Sequence, residues 1–327
     1  MPRPPSMNRR AFLATSAAGA ASWLAARQGH AATKPAAFRF VEQPGGRIQI
    51  LEADRPVLTY NWGEQFKEGV PERYRRACYC HPVRAPDGTI LTDDFPKDHY
   101  HHRGIFWSWP RMKTRGKTVQ TWHLEGIAQR FRKWNSKSAG AQCVSLEVAN
   151  DCLLDDGECV GRERLLMVVH RASAVGRAID FALIFEAVGG PMELLGAKGK
   201  GYGGFCFRFA PRKGTVITTD AGVRKGDSNK ETPKWADLSA KFEGADGVAG
   251  AAVFVHPRSH CKPTGWTLRH YGFLGPSWPG LEPYTLRPGA PVTLRYRVYV
   301  HRGGAAEGKV AEAYAQYASP AALKEKA

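Results

Sequence analysis

Alternation of apolar and polar positions dominates this chain. Ile179, Phe181, Leu183 and Phe185 are spaced two apart, and so are Leu294, Tyr296, Val298 and Val300, with Arg295, Arg297, Tyr299 and His301 between them. A period of two places each set on one face of a strand, against a core. Ile48 and Ile50 repeat the pattern after the Pro44-Gly45-Gly46 turn. Val144 to Asn150 alternates, Asp155-Asp156-Gly157 turns, and Leu165 to Arg171 returns. One segment has helical spacing: Val310, Ala313, Tyr314 and Tyr317, with Pro320 just beyond, predict a short helix over residues 307–318. The pattern predicts an all-β protein, a large twisted, mostly antiparallel β-sandwich with a short C-terminal helix. His301 reads as a strand-end residue.

The first residues break this pattern. Asn8-Arg9-Arg10-Ala11-Phe12-Leu13, an Ala-rich run and the small residues Gly29-His30-Ala31-Ala32 form a twin-arginine signal peptide over residues 1–32. The expected domains are therefore 1–32, leader, and 33–327, a single sandwich. The expected location is periplasmic or secreted. No later stretch approaches the ~20 apolar residues of a membrane span, so no stable span is expected once the signal is cleaved.

Charge narrows the partners. The formal charge is +17, and the leader holds four arginines and no acid, so the mature chain stays strongly basic. Lys and Arg are spread along candidate strands rather than gathered in a block. That distribution and export argue against nucleic acid and favour an acidic glycan or simple solvation. The cluster Arg73-Tyr74-Arg75-Arg76 reads as a solvated loop. Seven cysteines are an odd number; Cys152 and Cys159 face each other across a hairpin in one register and part with a one-residue slip. Lys198-Gly199-Lys200-Gly201-Tyr202-Gly203-Gly204-Phe205 lacks the Gly-Lys-Ser/Thr of a phosphate loop and leads into a strand, so its glycines are read as points of close backbone approach.

The densest chemistry lies between Asp93 and Trp109. Asp98, His99, His101, His102 and Arg103 sit between Pro96 and Gly104, ahead of Phe106, Trp107 and Trp109. Proline and glycine place the histidines on a loop or strand entrance, where binding and catalytic groups concentrate. In an extended segment His99 and His101 point to one side and Tyr100 and His102 to the other. Trp122-His123-Leu124-Glu125 adds a further imidazole and carboxylate. No spacing such as His-Glu-x-x-His occurs, so no metal ligands are assigned and the cofactor stays open.

Asp94-Phe95-Pro96, Asp98-His99, His101-His102-Arg103-Gly104, Trp122-His123, Gly201-Tyr202-Gly203-Gly204-Phe205 with Arg208, Trp235-Ala236-Asp237-Leu238 and Gly275-Pro276-Ser277-Trp278-Pro279-Gly280 together resemble the bacterial family labelled "methane oxygenase PmoA". The resemblance spans about residues 40 to 319. It implies an exported supersandwich of the galactose-mutarotase type, in a family associated with sugar catabolism. The absence of any later apolar span argues against literal methane oxygenase activity. The paired histidine segments and late catalytic glutamate of aldose epimerases have no match here, so that mechanism is not carried over.

Two functional classes follow. As an enzyme, an isomerase or lyase, the protein uses acid/base chemistry on a saccharide, with His99, His101, His102, Asp98, His123 and Glu125 as the catalytic candidates. Arg103, Trp107, Trp109, Lys200, Tyr202, Arg208 and Trp235 are the substrate-binding candidates, the cations gripping an acidic sugar and the indoles stacking on it. As a non-catalytic carbohydrate-binding protein, it needs the grip without the acid/base groups. His99, His101, His102, Arg103, His123, Tyr202 and Arg208 are expected to converge. Oligomeric state is not readable from these residues.

Overall fold

The computed structural model describes residues 37–260 and 262–319. The expected twin-arginine leader over residues 1–32, Cys261 and Pro320 lie outside the described residues. Two large sheets are antiparallel throughout. The first has eight strands in the order Phe38–Gln43, Arg47–Glu52, Arg55–Asn61, Tyr79–Val83, Ile105–Ser108, Gly204–Arg208, Phe273–Ser277 and Gly265–Arg269. The second has nine, with Val292–Arg302, Gly176–Ala187, Cys159–His170 and Cys143–Leu154 as consecutive neighbours. A four-stranded sheet runs through Tyr284–Leu286, Met192–Leu195, Arg111–Thr114 and Lys117–Val119.

The alternating residues build the sandwich core. Ile179, Phe181, Leu183, Phe185, Leu294, Tyr296, Val298 and Val300 all face it. Across the gap Phe205 meets Phe181 at 5.4 Å between ring centroids and stacks on Tyr296 at 4.5 Å. A polar clamp crosses the same core. The buried Glu163 carboxylate accepts from the Trp107 indole N–H at 2.6 Å, the Gln129 amide at 2.6 Å and the Asn150 amide at 2.8 Å. Burial pushes the Glu163 carboxyl upward, and these three donors offset part of that push.

The middle strands of the eight-stranded sheet, Ile105–Ser108, Gly204–Arg208 and Phe273–Ser277, are buried on both faces, which positions the site. Ile105, Trp107, Phe205 and Phe207 point into the sandwich. Phe106, Cys206 and Phe273 point the other way, where they pack with Tyr79, Trp122 and Tyr202 in a smaller apolar cluster. A third cluster lies under helix Val310–Tyr317, which covers Trp235, Phe254 and Tyr299 of the nine-stranded sheet.

Several details differ from the sequence expectation. Arg76 is no solvated residue: it is 1% exposed and donates to the Thr121 and Trp122 carbonyls. His301 is the last residue but one of its strand, as expected, but it is fully buried rather than exposed, with Nε2 2.7 Å from Asp237 Oδ1. The six described cysteines are free. Cys152 pairs with Gly161 and Cys159 with Leu153, the bulge between them being the one-residue slip that parts the two thiols.

Candidate functional site

The histidine segment joins two neighbouring strands of the eight-stranded sheet, Tyr79–Val83 and Ile105–Ser108. Its neck is stitched shut by backbone bonds from Gly104 N–H to the Asp93 carbonyl (2.7 Å) and from Arg208 N–H to the Gly104 carbonyl (2.8 Å). Gly104 has φ +49°, and a Cβ there would sit 2.1 Å from the Cys80 carbonyl oxygen, so only glycine closes this neck. Between neck and tip the chain turns twice, with His99 N–H on the Pro96 carbonyl (3.0 Å) and His102 N–H on the His99 carbonyl (2.9 Å). The expected extended alternation is therefore replaced by turns. They bring all three imidazoles to one place.

The result is a four-imidazole cluster. The rings of His99 and His102 stack at 4.6 Å with an interplanar angle of 2°. His101 stands edge-on to His102 at 4.4 Å, and His123 edge-on to His101 at 4.4 Å. Tyr271 stacks on the outer side of His99 at 5.3 Å, and Trp122 leans on Tyr202 at 4.9 Å. These groups, with Lys200, Thr267, Arg269 and Phe273, line a cavity of about 380 Å³, inside the roughly 300–1,000 Å³ that small-molecule sites occupy.

Its electrostatics are one-sided. Burial, reinforced by the neighbouring His123 and Arg76, lowers His101 to about 2. Burial and the His101 and His99 rings likewise hold His102 well below the ordinary imidazole range. Both are neutral at any physiological pH, each with one N–H and one lone pair. Asp98 sits at the rim, 3.0 Å from His99 Nδ1 and within 2.7 and 3.0 Å of the Arg208 guanidinium. Partial burial pushes this carboxyl up, but the His99 and Arg208 bonds outweigh it and hold it below its usual value. Asp98 is thus a poor base; it anchors Arg208, which lies over the Tyr271 ring at 5.0 Å. Buried nitrogens without a protein hydrogen-bond partner gather here: Nδ1 of His102, Nε and Nη1 of Arg208, and Nε and Nη1 of Arg76. Such groups are costly to bury unmet, and the two guanidiniums give the cavity a positive field suited to an anion.

His123 differs from its neighbours because its tautomer is set. Its Nδ1 lies 3.1 Å from Gln120 Oε1, and the Gln120 amide nitrogen donates to Glu125 Oε2 at 2.5 Å. The carboxylate can only accept, which orients the amide; the amide oxygen can only accept, which puts the proton on His123 Nδ1. Nε2 is left with its lone pair. Burial lowers His123, while the charge of Glu125 opposes that.

Among the expected site residues, His99, His101, His102, His123, Lys200 and Tyr202 line the cavity, with Asp98 and Arg208 at its edge. Glu125 is exposed; its side chain bonds Gln120 and acts on His123 through its charge, without touching the ring. Four expected binding residues lie elsewhere. Arg103 is 0% exposed, its donors committed to Asp94, the Tyr79 hydroxyl and the Tyr74 carbonyl, and its guanidinium is held between Phe95 and Tyr79. Trp107 faces the sandwich core because its strand alternates, and its neighbour Phe106 takes the site face. Trp109 is buried with its indole N–H on the Trp278 carbonyl, and Trp235 lies under the C-terminal helix. None offers a ring to a ligand. The sequence reading missed Gln120, Arg76, Thr267, Arg269, Tyr271 and Phe273. The run Arg269-His270-Tyr271-Gly272-Phe273 has the same density of cation, imidazole and ring as the histidine segment, and that signal was legible.

The comparisons bear on this geometry. Residues 47–315 match a family model described as a family of unknown function, DUF6807. The chain belongs to that family. A search of curated proteins finds no match to this DUF6807 chain. Among solved structures it is similar to a GalM/aldose epimerase homologue from C. elegans, at 9% identity over 82% of this chain and 100% of that one, with a TM-score of 0.36. A galactose mutarotase related enzyme from Lactobacillus acidophilus matches at 7% identity over 81% of this chain and 97% of that one, TM-score 0.36. A polysaccharide lyase matches at 12% identity, over 83% of this chain and 33% of that one, TM-score 0.31. At such scores these likenesses transfer no activity to the DUF6807 chain, and the sandwich rests on its own pairing and core. The oxygenase label has no counterpart in the matched family's description.

Proposed function

We propose that this DUF6807 protein is an exported enzyme acting on an acidic saccharide, removing the proton beside a sugar carboxylate in an isomerase- or lyase-like reaction. The observation that carries the proposal is one cavity lined by the His123 imidazole, whose Nδ1 is taken by Gln120, by neutral His101 and His102, and by cations on its wall and behind it. Lys200 and Arg269 meet the carboxylate, which makes the neighbouring C–H more acidic by taking up the charge that develops on it. His123 Nε2 receives that proton. In an elimination, the electron pair left on carbon forms a double bond as the adjacent C–O bond breaks, and the departing oxygen takes a proton from Tyr202 or Tyr271. Burial raises both phenols, so they stay protonated donors. In an epimerisation no C–O bond breaks, and Tyr202 or Tyr271 gives its proton to the opposite face of the same carbon.

Both reactions begin with the same step, so one experiment tests both. Galacturonate- and glucuronate-containing oligosaccharides are incubated with the protein in D2O, and loss of the C5 proton signal is followed by NMR. The wild type exchanges that proton, and His123→Ala slows exchange by roughly 10²–10⁴-fold. Binding without exchange on every sugar supports instead the non-catalytic reading, in which the same cations only hold the glycan.

A further inference from the structure

A second cleft, of about 670 Å³, adjoins the imidazole cavity and shares Lys200 and Arg269 with it. We infer that this cleft is a second sugar subsite, so that the protein takes a chain of acidic sugar units rather than a single one. The inference rests on the acidic-saccharide reading above and adds to it the length of the substrate.

The cleft is built by the two glycine-rich motifs that the imidazole site leaves unexplained. The turn Gly199-Lys200-Gly201 lies against Gly280: the Gly196 N–H donates to the Gly280 carbonyl at 2.7 Å, and a Cβ on Gly201 would stand 3.5 Å from Gly280 Cα. Gly280 itself has φ +87°, and a Cβ there would fall 2.0 Å from Thr264 Oγ1. A Cβ on Gly196 would fall 2.3 Å from the Gly201 carbonyl oxygen and 2.6 Å from that of Gly280, so glycine at 196 is what lets the two segments come together, and their backbone forms one wall.

The lining suits a sugar ring. Leu281, 56% exposed, stands beside Pro279 as an apolar patch. The polar Ser228, Asn229 and Lys230 line the same cleft, as does the carboxylate of Glu282. Arg269 is held at the junction by Nη1 on the Ser228 carbonyl (2.7 Å) and Nη2 on Asn229 Oδ1 (2.7 Å). Asp227, which also lines the cleft, is tied to His270 Nδ1 at 2.9 Å and held below its usual value despite partial burial, so His270 answers part of its charge. A pyranose presents one apolar face and a rim of hydroxyls, which matches a leucine-proline patch together with amide and ammonium donors. With Lys200 and Arg269 between the two spaces, a carboxylate in the imidazole cavity and the linkage to the next sugar both fall beside a cation.

Calorimetric titration with size-defined oligomers of galacturonate, mannuronate and hyaluronan, from the shortest unit to the hexamer, tests this on the full folded protein. Affinity for at least one series rises about tenfold or more, equivalent to about 1.4 kcal/mol, once a second unit is present. Lys230→Ala combined with Leu281→Ala flattens that rise while the melting temperature stays at the wild-type value. A wild type whose affinity does not depend on length, or a double variant that keeps the full rise, overturns the inference, as does absence of binding by every oligomer. The C5 exchange assay separates it from the catalytic proposal. Length-dependent binding without exchange keeps the second subsite and removes the chemistry; exchange with no dependence on length does the reverse.

Discussion

His102 and His301 are equally hidden from water, at 2% and 0% exposure, and their protons are governed in opposite ways. His301 faces a carboxylate. Burial alone lowers its affinity for a proton, but the hydrogen bond and charge of Asp237 outweigh burial and raise it. The pair is also closed: Ser239 Oγ donates to the second Asp237 oxygen at 2.5 Å, and a Cβ on Gly308 would stand 2.3 Å from His301 Nδ1. His102 faces no acid. It stacks on His99 and lies 4.8 Å from Phe273 between centroids, with Arg208 and Arg76 adding positive charge. Burial therefore does not decide the charge of an imidazole; the partner does. A satisfied pair with no room beside it reads as structure, and an unsatisfied ring on a cavity wall reads as a site.

The largest effect that tests this contrast is on stability. Asp237→Ala leaves His301 buried without its acid, and breaking a buried pair in this way costs about 3–5 kcal/mol. Guanidinium unfolding should show the loss, with C5 exchange per folded molecule unchanged. His102→Gln should do the reverse, lowering exchange or ligand affinity about 10²-fold while unfolding shifts far less. Glutamine is the better probe than alanine because His102 is enclosed by Phe106, Trp122 and Phe273, not held on an open loop, and truncation would leave a cavity. An Asp237→Ala protein as stable as wild type would remove the structural half of the comparison.

The pH dependence of stability should separate the two rings by sign. The folded value of His301 is raised, so its contribution is fully present below about 6.5, the ordinary imidazole value, and is lost as pH rises through the raised value. Replacing it with Gln therefore costs more in mild acid than in mild alkali. The folded value of His102 is depressed, so as pH falls below about 6.5 the unfolded chain takes up a proton that the folded chain refuses. Stability then drops by up to about 1.4 kcal/mol per pH unit. His102→Gln should flatten this acid-side loss. Urea midpoints at about pH 5, 7 and 9 measure both slopes, and slopes of the same sign for the two variants would contradict the assignment.

The sequence carried the sandwich further than the site, for a physical reason. Period-two alternation is local, so Phe181, Leu183, Tyr296 and Val298 could be placed on a core face without knowing their partners. The histidine segment declared itself through composition. What alternation cannot say is which face of a doubly buried sheet meets the ligand. Trp107 and Phe106 are adjacent and both aromatic, and only the second sheet packed over Trp107 makes Phe106 the one near the site. Arg76 and Arg103 were equally ambiguous, since a guanidinium that reaches carbonyls across 45 residues looks in sequence like any solvated charge.

The smallest expected effect concerns Glu125, and it tests whether the tautomer of His123 matters. Glu125 is exposed and touches no imidazole, so a direct catalytic role and a purely structural one are both poorly supported by its position. Its side-chain hydrogen bond holds the Gln120 amide with its oxygen toward His123. Glu125→Gln removes the obligate acceptor, so the Gln120 amide can flip and offer N–H to Nδ1, which moves the imidazole proton to Nε2 and blocks the base. Exchange should fall by about tenfold, less than when His123 itself is removed, because part of the population keeps the working tautomer. The melting temperature should not move, since an exposed carboxylate contributes little to stability. ¹⁵N chemical shifts of His123 give a readout independent of turnover: the wild type should show the proton on Nδ1, and Glu125→Gln a mixture. Gln120→Glu should reinforce the Nδ1 proton and retain exchange. If Glu125→Gln instead leaves the ¹⁵N pattern of His123 unchanged, the carboxylate–amide–imidazole chain does not govern the base.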